Sequence, residues 1–325
     1  PDITHAKTAA GIAHWRPEAC IGQLRLPGSG VDLGFPDMSA TEAAEAGAKT
    51  LIWGVAGVGG VIPEHWTPTL FDAVQAGLDI CAGTHSSLTE IDGLAEAAAK
   101  GGTRLIDIRK PPEDLPVGTG EKRSGKRLLM VGTDCVVGKK FSALAIAKGM
   151  KDRGMKADFR ATGQTGIMIS GGGMPIDAVI SDFVSGAAEV LSPANDDDHW
   201  DVIEGQGSLY HPGYAAVTLG LMHGSQPDAF VVCHEAGRKE IEAFPDFPLP
   251  TIGELIELTV ANGKLTNRDI RCVGISINTS SLADEERDAY LAKTADEYGL
   301  PCVDPVATGV DPIIDHINSV YGNGS

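Results

Sequence analysis

The chain has 325 residues, 42% apolar and 22% charged, enough for two domains that each bury a core. Its formal charge is −18, with 44 acids against 26 lysines and arginines, a field that repels nucleic acid and anionic lipid. The expected partners are therefore small molecules, with no nucleic acid and no membrane, and a phosphorylated or dicarboxylic ligand would need a local cluster of cations and backbone N–H groups.

The first 50 residues are rich in Gly and Pro (LPGSGVDLGFPDM) and read as irregular. A βαβαβ rhythm follows: strand TLIWGVAG, helix WTPTLFDAVQAG, strand LDICAGT, helix SLTEIDGLAEAAAKGG, strand TRLIDIRK. Such alternation implies parallel strands joined by crossover helices. Residues 110–126 then carry three Pro, three Gly and many charges without apolar periodicity, a linker composition. The boundary placed there divides the chain into domains 1–115 and 116–325.

The second series opens with strand RLLMVGTD and helix KKFSALAIAKGMKDRG. Strand KADFRATG, helix DAVISDFVSGAAEVL, strand WDVIEGQG, helix AAVTLGLMHG and strand PDAFVVCHE come next. Helix TIGELIELTVANG, strand RCVGISIN, helix DEERDAYLAKTADEYG and strand LPCVDPV complete it. The six cysteines are scattered with no CxxC pair, as in a reduced protein, and no apolar run approaches the ~20 residues of a membrane helix. With no charged-then-apolar leader in view, the reading is a cytoplasmic protein.

The strongest chemical signal is Gly132-Thr-Asp-Cys-Val-Val-Gly138-Lys139-Lys140, set between a predicted strand and a predicted helix. Glycines let backbone N–H groups turn inward around a phosphate, the helix N-terminus adds partial positive charge, and Lys139 reaches the outer oxygens. Gly132, Thr133, Asp134, Gly138, Lys139 and Lys140 are the candidate cofactor-binding residues. A Mg-nucleotide loop places Ser or Thr after its Lys to ligate the metal. Lys140 stands there instead, which favours a phosphate ligand neutralised by protein charge alone, such as coenzyme A. The competing reading leaves Lys140 in solvent and gives the metal role to Ser142 or another group.

Glu204 ends a strand and is followed by Gly205 and Gly207, with Ser208, Tyr210 and His211 just beyond. This delivers a carboxylate and several proton donors to the edge where open α/β sheets bind ligands, and the glycines suggest close backbone approach to one. At the next strand end stand His234 and Glu235, candidate bases, and Arg238, a candidate carboxylate clamp. Asn278, closing another strand, is the candidate to meet an adenine ring. In the N-terminal half Gly54, Gly57, Gly59 and Gly60 follow a strand without a true GxGxxG, while Thr84, His85 and Ser86 follow the second strand and Arg109 and Lys110 the third.

GTDCVVGKK, EGQGSLYHPGY and INTSS together resemble, at a distance, dethiobiotin synthetase. With GVAGVGG and GTHSSL added, nearly the whole chain resembles the D-glutamate N-acetyltransferases, a family long catalogued as a domain of unknown function. That resemblance implies a Rossmann-like N-terminal domain and a P-loop NTPase-like C-terminal domain, both with mainly parallel sheets. It implies transfer of an acetyl group from acetyl-CoA to the amine of D-glutamate, with no metal required, in a homo-oligomer. Glu204 or His211 would take the amine proton, Gly205–Ser208 N–H groups would face the oxyanion, and Ser208 or Tyr210 would supply the last proton. Arg109, Lys110, Arg160 and Arg238 are candidates for the two carboxylates. The alternatives are an ATP-dependent kinase or ligase of the dethiobiotin synthetase kind, which predicts Mg²⁺ dependence and ADP release, and a nucleotide sensor without turnover.

Overall fold

The computed structural model describes residues 6–26, 28–55 and 60–322. Gly57 and Gly59 of the N-terminal glycine cluster lie outside the described residues. Backbone contacts divide the chain into two units, Pro1–Pro111 with Gln164–Pro175, and Pro112–Gly163 with Ile176–Ser325.

In the first unit, α1 (Lys7–Trp15) and α2 (Ala40–Glu45) precede β1 (Thr50–Trp53). Helix α3 (Thr67–Gln75), β2 (Asp79–Ala82), α4 (Leu94–Gly101) and β3 (Leu105–Asp107) follow. The three strands form a parallel sheet in the order β1-β2-β3. The first 50 residues are thus less irregular than their Gly and Pro content suggests. At α2, the Ser39 hydroxyl accepts from the Glu42 N–H while the Glu42 carboxylate accepts from the Ser39 N–H, satisfying both orphan donors. Leu70, Val74, Ile80, Leu88 and Leu94 form the core between this sheet and its helices.

The second unit carries β4 (Lys126–Gly132), α5 (Lys139–Asp152) and β5 (Ala157–Arg160). The chain passes through α6 (Gln164–Ser170), counted with the first unit, where the Arg16 guanidinium donates to the Ile169 carbonyl at 2.8 Å. It returns in α7 (Val184–Leu191), β6 (Trp200–Ile203), α8 (Ala215–Ser225) and β7 (Ala229–Glu235). A hairpin of β8 (Glu240–Ile241) and β9 (Phe244–Pro248) comes next, then α9 (Ile252–Gly263), β10 (Arg271–Asn278), α10 (Asp284–Tyr298), β11 (Cys302–Val303) and α11 (Asp311–Tyr321).

Six strands pair in parallel in the order β11-β10-β7-β4-β6-β5. Their apolar runs are buried on both faces, as a helix-covered parallel sheet requires. Ile146 and Met150 of α5 and Ile313, Ile314 and Ile317 of α11 pack with Leu128, Met130, Val202, Val231 and Val273 of the strands. The helix expected over 177–191 forms only from Val184, because Ile180 takes an extended ψ of 135° between two single 3₁₀ turns. Helix α11 and the β8–β9 hairpin were not anticipated; the FPDFP strand of the hairpin is exposed throughout and shows no alternation.

The stretch that reads as a linker is hydrogen-bonded onto the second unit. Glu189 of α7 accepts from the N–H groups of Thr119 and Gly120. Arg127, 1% exposed, donates to the carbonyls of Arg123, Ser124, Gly125, Ser192 and Pro193.

Candidate functional site

After β6 the chain crosses from one side of β4 to the other, so the carboxyl end of β4 is a topological switch point, where open α/β sheets form their ligand crevice. Register places Gly132 beside Cys233 and Leu129 beside Ile203, so the loops bearing the P-loop, Glu204 and His234 emerge along one edge.

Gly138 sits at φ +98°, a left-handed conformation that glycine alone adopts freely, and caps α5. Val136 holds φ +54° although β-branched, and its side chain faces outward. Such a backbone is uncommon outside glycine and marks a loop whose shape is imposed by its surroundings. Lys139 is buried and donates to the Asp134 carbonyl at 2.7 Å; burial lowers its pKa, opposed by the charges around it. Asp134 is fully buried. Its Oδ1 accepts from the Cys135 N–H at 2.6 Å, and its Oδ2 from Arg238 at 2.9 Å and the Glu242 N–H at 2.7 Å. Asp134 therefore shapes the loop and is turned away from ligand duty.

Ser142 is likewise committed to structure. Its hydroxyl bonds the Gly138 carbonyl at 3.1 Å and the Ser276 hydroxyl at 2.8 Å beneath the helix. The idea that Ser142 substitutes for the missing metal-binding hydroxyl is set aside on that geometry. Lys140 remains in the position after Lys139, half-buried, with its ammonium 5.3 Å from the Phe141 ring.

Glu204 is buried at the end of β6. Its Oε2 accepts from the N–H groups of Thr162 and Gly163, at 2.9 and 3.1 Å, which leaves Oε1 to take a proton. Burial raises its pKa, partly offset by those two N–H groups and by Lys140 and Lys139. The glycines beside it serve the protein itself and not a ligand. A Cβ on Gly205 would fall 1.8 Å from the Met130 carbonyl oxygen, and one on Gly207 2.3 Å from the Tyr214 carbonyl oxygen. Ser208 is fully buried and donates to the Thr133 carbonyl at 3.2 Å, so it positions the P-loop.

His211 is 2% exposed. Its Nδ1 accepts from the Gly213 and Tyr214 N–H groups at 3.0 and 3.2 Å, which places the proton of the neutral ring on Nε2. The ring is thus a donor at Nε2, and the expectation that it takes the amine proton gives way to that tautomer. One ring nitrogen, the Cys135 sulfur and an Asp134 oxygen lie within 4.8 Å of one another. As a metal centre this trio is poorly built, because the lone pairs of Asp134 and of His211 Nδ1 are already engaged.

Arg238 donates to Asp134, to the Cys135 carbonyl at 3.0 Å and to Glu235. Arg160 pairs with Asp201 at 2.7 Å. These two of the four candidate carboxylate cations are thus paired with the protein's own acids. Arg109 and Lys110 belong to the first unit, past β3, where burial lowers the pKa of Arg109. Asn278 stands two strands from β4, its Oδ1 accepting from the Ser280 N–H. His234 is not a surface base: it is buried, its Nδ1 lies 3.1 Å from the Thr133 hydroxyl, and its pKa is pushed down to about 4 by burial and Arg238. Thr162, Gly163 and Glu242 carry no sequence motif, and only their hydrogen bonds reveal them.

A phosphate-type loop at the switch point of a parallel sheet, with a buried acid on the adjoining strand, defines a P-loop α/β protein. The chain belongs to the family described as "Domain of unknown function (DUF1611_C) P-loop domain", matched over residues 116–314, with the "(DUF1611_N) Rossmann-like domain" matched over 25–111. It is 48% identical to a D-glutamate N-acetyltransferase of Tritonibacter scottomollicae over 320 residues, covering 98% of this chain and 96% of that one. A protein of the same name from a Pseudoalteromonas species is also 48% identical, over 316 residues (97% and 95%). A crystal structure of a DUF1611 family protein from Anabaena variabilis superposes with a TM-score of 0.86 at 33% identity, covering 97% and 95%. Among the described residues no helix is long and apolar enough to cross a membrane.

Proposed function

We propose that this protein acetylates the amine of D-glutamate, with acetyl-CoA as donor. The observation that carries the activity is the 48% identity, over almost the whole chain, to relatives named D-glutamate N-acetyltransferase. The donor is inferred from the P-loop: Lys140 stands where a metal-binding hydroxyl would be and Ser142 is engaged elsewhere, which suits a phosphorylated ligand held by cations and N–H groups. A homo-oligomer working in the cytoplasm, without nucleic acid or membrane partners, completes the reading and accords with the net charge of −18.

Glu204 is the base in this reading. Burial raises its pKa, which favours proton uptake, and Oε1 is the oxygen available for it. The amine nitrogen attacks the thioester carbonyl carbon and gives its proton to Glu204. Collapse breaks the C–S bond, and the departing thiolate takes that proton back from Glu204. Lys139 and Lys140 face the donor's phosphates.

The test is thiol release from acetyl-CoA with EDTA present, in parallel with D- and L-glutamate. Release with the D-isomer alone is expected. Silence with both isomers, followed by ADP formation on adding Mg-ATP, would overturn the reading in favour of an ATP-dependent enzyme.

A further inference from the structure

Among the described residues the exposed phenyl and phenol rings are Tyr210, Tyr214, Phe244 and Phe247, and all four belong to two segments beside the P-loop. Three of them converge on His211 or on each other. The Tyr214 ring stacks on His211 with centroids 4.5 Å apart, Phe244 meets it edge-on at 5.1 Å, and Phe247 meets Phe244 at 6.2 Å. Rings left in water this way, grouped on one small surface, mark a place that an apolar ligand covers.

That surface shares a frame with the P-loop. The hairpin turn holds Ala243 at φ +65° and is pinned by the Glu242 N–H on Asp134, while Arg238, on the approach to β8, grips the same carboxylate oxygen. Glu242, two residues before Phe244, is thereby tied to the P-loop residue Asp134. From the other side, a His211 ring nitrogen lies within 4.8 Å of the Cys135 sulfur. Whatever extends from a phosphate held in the loop across Cys135 meets the rings next.

The chemistry of the patch selects the occupant. An amino-acid dianion is poorly served, because the guanidinium of Arg238 is occupied by Asp134 and Glu235. An uncharged arm ending in a thioester is well served: Tyr214, Phe244 and Phe247 supply apolar cover, and the Nε2–H of His211 supplies one fixed donor among them.

Resting on acetyl-CoA as the donor, we infer that Tyr214, Phe244 and Phe247 around His211 form the subsite for its pantetheine thioester, with His211 Nε2–H donating to the thioester carbonyl oxygen. As the amine adds to the carbonyl carbon, that oxygen takes the negative charge and the hydrogen bond to His211 strengthens. When the C–S bond breaks, the charge leaves with the thiolate and His211 has neither gained nor lost a proton. The two backbone N–H groups donating to Nδ1 direct the ring's N–H to Nε2.

Calorimetric binding of acetyl-CoA and of 3′,5′-ADP, which lacks the pantetheine arm, tests the subsite. The double variant Phe244→Ala/Phe247→Ala should lose about tenfold or more in acetyl-CoA affinity, in line with two partly buried rings, and keep its affinity for 3′,5′-ADP. Equal loss for both ligands, or loss for neither, overturns the subsite. Failure of the unaltered protein to bind acetyl-CoA overturns the donor assignment itself, which is a different result. For His211, His211→Ala should lower kcat by about 10²–10³ with little change in KM, and His211→Gln, whose amide can replace the Nε2–H, should recover most of it. A Gln variant as inactive as the Ala variant overturns the donor role.

Discussion

Arg238 reaches back from the end of β7 to Asp134, 104 residues earlier in the chain, with 2.9 Å between Nη1 and Oδ2. The carboxylate is fully buried and the guanidinium mostly so. Loop and hairpin thus meet at one charge pair.

Breaking such a pair leaves an uncompensated buried charge. Arg238→Met should destabilise the protein by about 3 kcal/mol. The cost should shrink when Asp134→Asn is added, because the two sites share one interaction. Urea unfolding of the single and double variants measures both. Strict additivity would show that the pair carries little coupling.

The acid limb of the activity profile should belong to Glu204. Its pKa is raised, so the carboxylate needed as base forms only above the usual glutamate range, and kcat/KM should rise with pH through that region. Glu204→Gln should lower kcat/KM by about 10²–10⁴ and abolish the limb. Stability runs the opposite way. A raised folded pKa favours folding at low pH, and the benefit is lost as pH rises through it. Glu204→Gln should therefore gain stability relative to the parent at about pH 8 and show no such gain at about pH 4. A retained acid limb in the variant removes Glu204 as base.

His234 should make the protein acid-sensitive in a defined window. Its pKa is about 4 folded against 6.5 for the free side chain. Between those values the unfolded chain binds the extra proton, so stability falls as pH drops from 6.5 to about 4 and levels off below. The full effect is about 3 kcal/mol by the linkage conversion. His234→Gln keeps a hydrogen-bonding group near Thr133 and should flatten this part of the curve. Parallel curves for both proteins would refute the assignment.

Cys135 lies in the P-loop close to His211, yet burial raises its pKa, so the thiol stays protonated near neutrality. Transfer should therefore be direct. Cys135→Ala should keep activity within about threefold, and the parent mixed with acetyl-CoA alone should show no acetyl adduct on this cysteine by mass spectrometry. A stoichiometric adduct formed at a competent rate would establish a two-step route.

The reach of the sequence is clearest at the P-loop. Gly132 to Lys140 is a contiguous run whose chemistry follows from local backbone freedom and one lysine, and the strands beside it show as unbroken apolar runs because a parallel sheet buries both faces. Alternating strand and helix patterns likewise made the α/β class, and a parallel sheet in each half, legible from periodicity alone. Roles were a different matter. EKRSGK reads as the end of a charged linker and Arg127 as the start of the next strand, yet Arg127 is among the most buried side chains in the protein and gathers the carbonyls of residues 123–125 from that linker and of 192–193.

What tertiary structure alone decided is which polar groups are already spent. Arg160, Arg238, Ser142 and Ser208 look available in a residue string, and each is bound to a partner brought alongside by strand order. The donor tautomer of His211 depends on how the backbone at Gly213 and Tyr214 curls beneath its ring. Local pattern is carried by neighbouring residues, whereas these pairings join positions 41 to 134 residues apart, and only the packed edge of β5, β6, β4, β7 and β10 places them within hydrogen-bonding distance.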